Sequence, residues 1–425
     1  MILPASHGLR TLTHDGRLLF GTRIARLFAY GSLSVVLVLY LAQLGLSEPL
    51  IGLLLTLTLI GDTAISLLLT STADRFGRRR MLIIGAGLMV FAGVVFVITK
   101  EFTLLLFAAT IGVISPSGYE VGPFLPIEQA ALAQIVADKK RTQVFSWYNL
   151  VGSFATALGA LAGGVLAQAL QKKGMTPSAS YRMIVLGYAA MGLVLALLFW
   201  QLSRGIEPSL DRLPKKEGLK NWSGLHRSRV LVLKLSVLFS LDAFAGGFIV
   251  QSFVVYWFHR RFGVEPAMLG SIFFGANILA GLSALSAARI AAAIGLVNTM
   301  VFTHIPSNIL LMLVPLMPNL TLAIIVLLLR FSISQMDVPT RQSYTMAIVT
   351  PDERSAAAGV TGVARTTGAA LSPILTGMLL GNQTLLSVPF FLAGGLKIIY
   401  DLLLYQSFRT LRPPEETKTT LSTGA

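Results

Sequence analysis

Twelve apolar segments follow one another along this chain of 425 residues, and each is long enough to cross a membrane. A helix of about 20 apolar residues spans the hydrocarbon layer of about 30 Å. The segments, numbered 1 to 12, lie near 20–44, 49–72, 81–99, 102–123, 143–170, 181–203, 230–258, 266–288, 297–316, 319–340, 355–380 and 385–408. Since 54% of the residues are hydrophobic and only 12% are charged, a soluble fold is excluded. The predicted fold class is an all-α membrane protein with twelve transmembrane helices.

The basic residues predict the orientation of these helices. An even number of helices places both termini on one side, and the connections on that side hold far more Lys and Arg than the others. We therefore expect a multi-pass protein of the cell membrane with cytoplasmic N- and C-termini. No cleavable signal sequence is expected, because no apolar core with a cleavage site precedes Arg23 and Arg26. The net charge of +15 does not indicate nucleic-acid binding, because the charges cluster between the apolar segments.

Several kinds of chemistry are not supported by the residues. The chain has no cysteine, and its five histidines are scattered without the spacing of metal ligands. No nucleophile–base arrangement is visible, and no connection is large enough for a separate catalytic domain. We expect no metal, no cofactor and no enzymatic activity.

The two halves of the chain repeat each other. Pro126-Ile127-Glu128-Gln129 aligns with Pro339-Thr340-Arg341-Gln342, and at the same shift Arg141 aligns with Arg354. The predicted organisation is a six-helix half at 1–203, a basic cytoplasmic linker at 204–229, a second half at 230–408 and a cytoplasmic tail at 409–425. Duplicated halves of this kind are typical of transporters, whose substrate site lies between the repeats near the middle of the membrane.

A charged turn at 73–80 separates segments 2 and 3. It resembles the loop of the major facilitator superfamily with the pattern G-x-x-x-D-R/K-x-G-R-R/K, although Ser71 replaces the first glycine. The residues that match are Asp74, Arg75, Gly77, Arg78 and Arg79. The resemblance implies two pseudo-symmetric six-helix bundles that form a secondary transporter, expected to act as a monomer. A loop that merely sets topology would also carry arginines, and that alternative stays open.

By the same resemblance, the loop has a role in gating. Asp74 would dock at the cytoplasmic start of segment 11, near Arg354 and Ser355, where free N–H groups favour a negative charge. The arginines of the loop would complete this latch, and Gly77 would permit the turn. The second copy, at 291–296, keeps the glycine but has lost the charges. The predicted latch is therefore asymmetric.

Charged residues inside the apolar segments are functional candidates, because burying them in lipid is costly. Asp62, Asp242, Arg330 and Arg365 are expected near the midplane, Glu120 and Asp337 toward the cytoplasmic ends, and Glu128 and Arg341 at the surface. In the family, helices 1, 4, 7 and 10 line the pathway, which favours Glu120, Asp242, Arg330 and Asp337 as pathway residues. We expect Asp62 and Asp242 to carry protons or cations.

Structural ion pairs are the alternative for the same residues. Arg365 could pair with Asp62 or Asp242, and Arg330 with Asp337 two turns away. Because Glu128 and Arg341 occupy equivalent repeat positions with opposite charge, they could form a salt bridge between the halves. Lys397 and Asp401, four residues apart, are expected to form a structural pair.

The sequence thus predicts secondary active transport of small molecules, coupled to protons and directed outward by antiport. Segment 5 resembles an antiporter glycine motif, but Ala155 and Ala160 replace its first glycine and its proline, which weakens a drug-exporter assignment. The first alternative is an importer or facilitator of a small anionic metabolite, which Arg330 and Arg365 would suit. The second is a receptor or scaffold that does not transport.

Overall fold

The computed structural model describes residues 12–136, 138–208, 225, 227–350 and 353–411, without the side chains of 138–140, 142 and 355. Helices dominate this part of the chain, and no β-strand occurs in it. In order they are α1 His14–Gln43, α2 Glu48–Phe76, α3 Arg78–Ile98, α4 Phe102–Ile111, α5 Phe124–Ile135, α6 Asp138–Lys172, α7 Pro177–Trp200, α8 Arg229–Gly247, α9 Gln251–Phe262, α10 Pro266–Ile294, α11 Leu296–Leu313, α12 Leu320–Ile333, α13 Asp337–Ile348, α14 Arg354–Leu380 and α15 Val388–Phe408. Ten stretches among them are long and apolar enough to cross a membrane. The all-α prediction is confirmed.

Three of the twelve predicted helices are not continuous. Segment 7 corresponds to α8 and α9, and segment 10 to α12 and the beginning of α13. Segment 4 contains α4 and the break that follows it, and α5 begins just past the predicted end of segment 4 at 123. Between α4 and α5 the backbone turns at Gly118 and Gly122, whose φ angles of 74° and 80° favour glycine. The neighbouring Pro116 and Pro123 lack the N–H that a continuous helix would use. These breaks place irregular backbone beside the buried charges described below.

Contacts divide the described residues into two compact units. Unit 1 contains those up to 216 together with 254–274, and unit 2 contains those of 217–253 and from 275 onward. In unit 1, α1 packs along α6, and α3 packs along α7. In unit 2, α8 packs along α14, and α11 along α15. The first helix of each predicted half therefore packs along one long helix of its own unit.

Glycines allow these helix pairs to approach closely. A Cβ added to Gly159 of α6 would lie 2.0 Å from the backbone oxygen of Phe28 on α1. In unit 2, a Cβ on Gly368 of α14 would lie 2.3 Å from the oxygen of Ser240 on α8. The glycines of segment 5 therefore form a packing surface, as small residues commonly do between membrane helices.

Candidate functional site

Two arginines of α1 and two glutamates form a buried ion cluster in unit 1, here called the unit 1 cluster. Nη2 of Arg26 lies 2.7 Å from Glu128 and 3.0 Å from Glu120. Nη1 of Arg23 donates to the same oxygen of Glu120 at 2.5 Å. The side chains of Arg26 and Glu128 are both 0% exposed. Since two guanidinium groups face two carboxylates, the four charges balance.

Glu128 on α5 has the most complete set of donors in this cluster. Besides Arg26, Thr22 donates to it at 2.7 Å, and the Tyr148 hydroxyl of α6 donates to its other oxygen. The expectation that Glu128 lies at the surface is therefore wrong, because this side chain is enclosed by α1 and α6. Sequence reasoning also missed Arg23 and Arg26 as members of a buried site. Their position within segment 1 was the available signal.

Asp62 on α2 lies outside the ion pairs of the unit 1 cluster. Its Oδ1 accepts a hydrogen bond of 2.6 Å from the amide of Gly122, in the break between α4 and α5. The residue is only 9% exposed, and Glu120 is near enough to repel its charge. Among the described side chains, none forms an ion pair with this carboxylate. Asp62 is thus a buried acid held by a backbone dipole instead of a cation.

Unit 2 contains a second buried ion cluster, centred on Asp242 of α8 and here called the unit 2 cluster. Lys397 of α15 lies 2.5 Å from Oδ1 of Asp242, and Arg341 of α13 lies 3.0 Å from Oδ2. The same Nη1 of Arg341 lies 3.0 Å from Asp337, one turn earlier on α13. All four side chains are at most 10% exposed.

His304 of α11 joins two carboxylates of unit 2. Its Nδ1 lies 2.8 Å from Oδ1 of Asp401 on α15, and its Nε2 lies 3.9 Å from Oδ1 of Asp242. The amide nitrogen of Asn308 donates to the other oxygen of Asp401 at 3.2 Å. We include His304 and Asp401 in the unit 2 cluster. The sequence offered no signal for His304, since a single histidine in an apolar segment does not show which helices face it.

The ion pairs in unit 2 differ from those predicted. Lys397 bonds to Asp242 and not to Asp401, because α15 turns these two side chains toward different helices. Asp337 pairs with Arg341, so the proposed partner of Arg330 is already bound to another cation. Arg341 is 3% exposed, which corrects the expectation that it lies at the surface. Glu128 and Arg341, predicted as a pair, are each bonded inside their own units.

The two arginines that were expected near the midplane, Arg330 and Arg365, have different surroundings. The guanidinium of Arg330 lies over the ring of Phe331, 4.9 Å from its centre. Arg365 of α14 lies within electrostatic range of Arg341, Asp242 and Asp337, but the predicted pair with Asp242 is not formed. Its Nε is buried without a hydrogen-bond partner in the described part of the chain.

The charged loop between α2 and α3 is held by the start of the linker. The carboxylate of Glu207 accepts from the backbone N–H of Arg78 at 2.7 Å and of Arg79 at 3.2 Å. Nη1 of Arg78 donates to the carbonyl of Ile206 at 3.0 Å. Gly77 has a φ of 102°, which a side chain would rarely tolerate. Glu207, which sequence reasoning missed, therefore caps α3 where an acidic group is favoured.

The other residues of the predicted latch lie at the surface. Asp74 is exposed and pairs with Arg78 at 2.9 Å, and Arg75 lies over the ring of Phe76. In unit 2, Arg354 is exposed at the start of α14, while the side chain of Ser355 is outside the described residues. Docking of Asp74 near Arg354 stays a prediction.

Comparison with known proteins places this chain in a family. The model of the Major Facilitator Superfamily matches residues 19–365. A Saccharomyces cerevisiae protein named "Uncharacterized membrane protein YJR124C" is 32% identical over 421 residues, which cover 92% of this chain and 93% of the relative. A Na(+), Li(+), K(+)/H(+) antiporter of Planococcus maritimus is 30% identical over 130 residues, or 31% of this chain and 30% of its own.

Solved structures show the same fold at low identity. A D-xylose–proton symporter superposes with a TM-score of 0.72 at 16% identity, covering 92% of this chain and 97% of that one. Its likeness shows the architecture, and the family follows from the sequence match over most of the chain. The chain belongs to the Major Facilitator Superfamily and is therefore a multi-pass membrane transport protein.

Proposed function

We propose that this protein is a proton-coupled secondary transporter of small organic molecules, and that Asp62 carries the proton. The observation that supports the proposal is a buried carboxylate with a backbone donor and no ion-pair partner among the described side chains. Asp62 lies fourteen residues after the start of α2 at Glu48, or about 20 Å along the helix, so we expect it deep in a hydrocarbon layer of about 30 Å.

A carboxylate in this setting favours reversible proton binding. Burial of an unpaired negative charge is costly, and Glu120 nearby adds repulsion. A bound proton removes both penalties, while the Gly122 amide supports the ionised form after release. Each state therefore has a stabilising contact, as a carrier needs.

Asp242, the second predicted carrier, is less suited to this role. It lies between Lys397 and Arg341, at 2.5 Å and 3.0 Å. A proton on its carboxylate would weaken both ion pairs at once and leave two buried cations short of a partner. We therefore assign the proton to Asp62.

Ion coupling has some support from a relative. The protein named as a Na(+), Li(+), K(+)/H(+) antiporter resembles about a third of this chain. Outward transport by antiport, a cytoplasmic position for both termini, a monomeric state and the gating role of the 73–80 loop remain predictions from the sequence. An importer of anionic metabolites remains the alternative direction, and a receptor that does not transport remains the alternative class.

The test has two steps on purified protein. A thermal-shift screen of sugars, nucleosides, amino acids, organic cations and organic anions first selects ligands that stabilise the folded state. Flux of each hit is then measured in proteoliposomes with and without a pH gradient. We expect net flux to follow the gradient. Flux that ignores the gradient would refute proton coupling, and binding without any flux would favour the receptor.

A further inference from the structure

The guanidinium of Arg365 is a cation without a direct partner among the residues that the structure describes. Its Nε is buried with no hydrogen bond, and the described residues provide it with no ion pair. Arg341 is near enough to repel it, whereas Asp242 and Asp337 attract it from beyond contact distance. The residue is partly exposed, so its remaining N–H donors can be reached. An arginine held in this way has a geometry that suits a carboxylate, which it can bind through two parallel hydrogen bonds.

The charges of the unit 2 cluster show what such binding would do. Its carboxylates are Asp242, Asp337 and Asp401, and its basic side chains besides His304 are Arg341 and Lys397. With a neutral His304 these groups carry one excess negative charge, which Arg365 balances at a distance. An anion bound to Arg365 would remove that balance and leave the buried cluster negative. One proton taken up by the cluster would restore neutrality, which a low-dielectric site strongly favours.

His304 has the atom that can take this proton. Asp401 accepts from Asn308 on one oxygen, and its other oxygen faces Nδ1 of His304 at 2.8 Å, so Nδ1 is the N–H donor. Nε2 then carries the lone pair and lies 3.9 Å from the carboxylate of Asp242. A proton on Nε2 would face that carboxylate. The ring of Tyr400 packs edge-on against the imidazole and fixes its orientation.

We propose that unit 2 binds a small organic carboxylate at Arg365 and that this binding places a proton on Nε2 of His304. The inference rests on the proposed function and names its substrate class. Because each ligand strengthens the binding of the other, anion and proton would be carried in the same direction. Symport would then replace the antiport predicted from the sequence.

The proposal can be tested by calorimetry on the purified full-length protein in detergent. The probes are acetate, benzoate and succinate, with benzamide as the uncharged counterpart of benzoate. Titrations in two amine buffers of different ionisation enthalpy give the number of protons taken up per bound anion. Amine buffers are used because they bring no carboxylate that would compete with the probes for Arg365. We expect at least one carboxylate to bind while benzamide does not. Uptake should reach a maximum approaching about one proton per anion within about pH 5 to 8, where imidazole titrates.

Three variants test anion binding at Arg365 and proton uptake at His304 separately. Arg365→Gln should weaken binding by about tenfold or more, and Arg365→Lys should retain much of it because the charge stays. His304→Asn keeps a donor for Asp401 but has no second ring nitrogen, so it should bind the anion without the proton uptake. Each variant is accepted only if its elution profile and unfolding temperature match the wild type.

Each outcome bears on the proposal. Failure of all three carboxylates to bind, equal binding of benzamide, or full binding by Arg365→Gln would overturn the anion site. Binding without proton uptake, or uptake that persists in His304→Asn, would overturn the link to His304. These measurements are made at equilibrium and without a membrane. Carboxylate binding with proton uptake can therefore be found even if flux proves independent of the proton gradient, and it can be missing even if flux follows the gradient.

Discussion

In the described part of the chain, each unit buries a set of paired charges and also a charged side chain, Asp62 or Arg365, that lies outside those pairs, but the sign of that side chain differs. In unit 1 that side chain is the acid Asp62, and in unit 2 it is the base Arg365. The charge of the side chains that the first helix supplies also differs between the two units. The first helix of unit 1 supplies arginines to carboxylates, whereas the first helix of unit 2 supplies Asp242 to cations. A duplicated fold has thus acquired two different chemical sites.

The two ion clusters also differ in whether they contain a residue type that changes charge near neutral pH. Glu128 in unit 1 accepts hydrogen bonds from Arg26, Thr22 and Tyr148, and none of these three residue types ordinarily titrates near neutral pH. Unit 2 includes His304, the one type of side chain whose ordinary titration falls there. We infer that the unit 1 cluster is a permanent structural lock and that the unit 2 cluster changes charge during the transport cycle. The following substitutions test that difference.

The largest effect is expected from Glu128→Ala in unit 1. It leaves Arg26 buried at 0% exposure with only part of its charge compensated, so we expect a loss of about 3–5 kcal/mol in the free energy of unfolding. Unfolding in detergent by heat or SDS measures it. Glu128→Gln, which keeps a hydrogen-bond acceptor, is the matched control and should lose less. An unchanged unfolding temperature in Glu128→Ala would contradict the lock.

A smaller loss is expected from Lys397→Met in unit 2. Asp242 would keep Arg341 at 3.0 Å, so the variant should lose about 1.5–3 kcal/mol. The double variant Asp242→Asn with Lys397→Met removes both charges and should recover part of that loss. If Lys397→Met destabilised the protein as much as Glu128→Ala does, the unit 2 cluster would tolerate the loss of one charge no better than the unit 1 cluster.

A moderate local effect is expected from Glu207→Gln at the loop between α2 and α3. The carboxylate caps the N–H groups of Arg78 and Arg79, and loss of its charge should cost about 1 kcal/mol. Hydrogen exchange of residues 74–82 should become faster, while exchange at the start of α8, where Glu353 accepts from Arg227 and Ser228, should not change. Unchanged exchange at 74–82 would show that the linker does not hold this loop.

The smallest effect on stability is expected from Asp74→Asn. Asp74 is exposed and its pair with Arg78 is a surface pair, so the loss should be below about 0.5 kcal/mol. The predicted latch nevertheless requires that this variant transports poorly while it inserts normally into the membrane. Flux and surface labelling, measured on the same preparation, test the predicted loss of transport and the predicted normal insertion. Normal flux would leave the loop with a topological role only.

Much of the fold could be predicted from the sequence, because membrane helices are set by length and hydropathy. The breaks were harder to locate. Gly118, Gly122 and Pro123 lie inside an otherwise apolar segment, and hydropathy alone does not register a change of backbone direction. Those three residues were the signal, and a search for paired glycine and proline would have found this break.

The buried residues were predicted more successfully than their partners. Asp62 and Asp242 stood out because any charge in an apolar segment is unusual. Their surroundings depend on which helices pack together and how each is rotated, and the sequence shows neither. Lys397 and Asp401 illustrate the limit, since their spacing suggested a mutual pair while the packing of α15 directs them to Asp242 and His304.

The most direct test of the central claim compares wild type and Asp62→Asn in proteoliposomes with the same labelled ligand. Counterflow exchange at equal pH is measured first, and net flux under an imposed proton gradient second. We expect the variant to exchange the ligand but to follow the gradient more weakly than the wild type, because its amide cannot carry the proton of Asp62 and only a proton bound with the ligand at His304 would remain. If Asp62→Asn responds to the gradient as the wild type does, Asp62 is not the proton carrier.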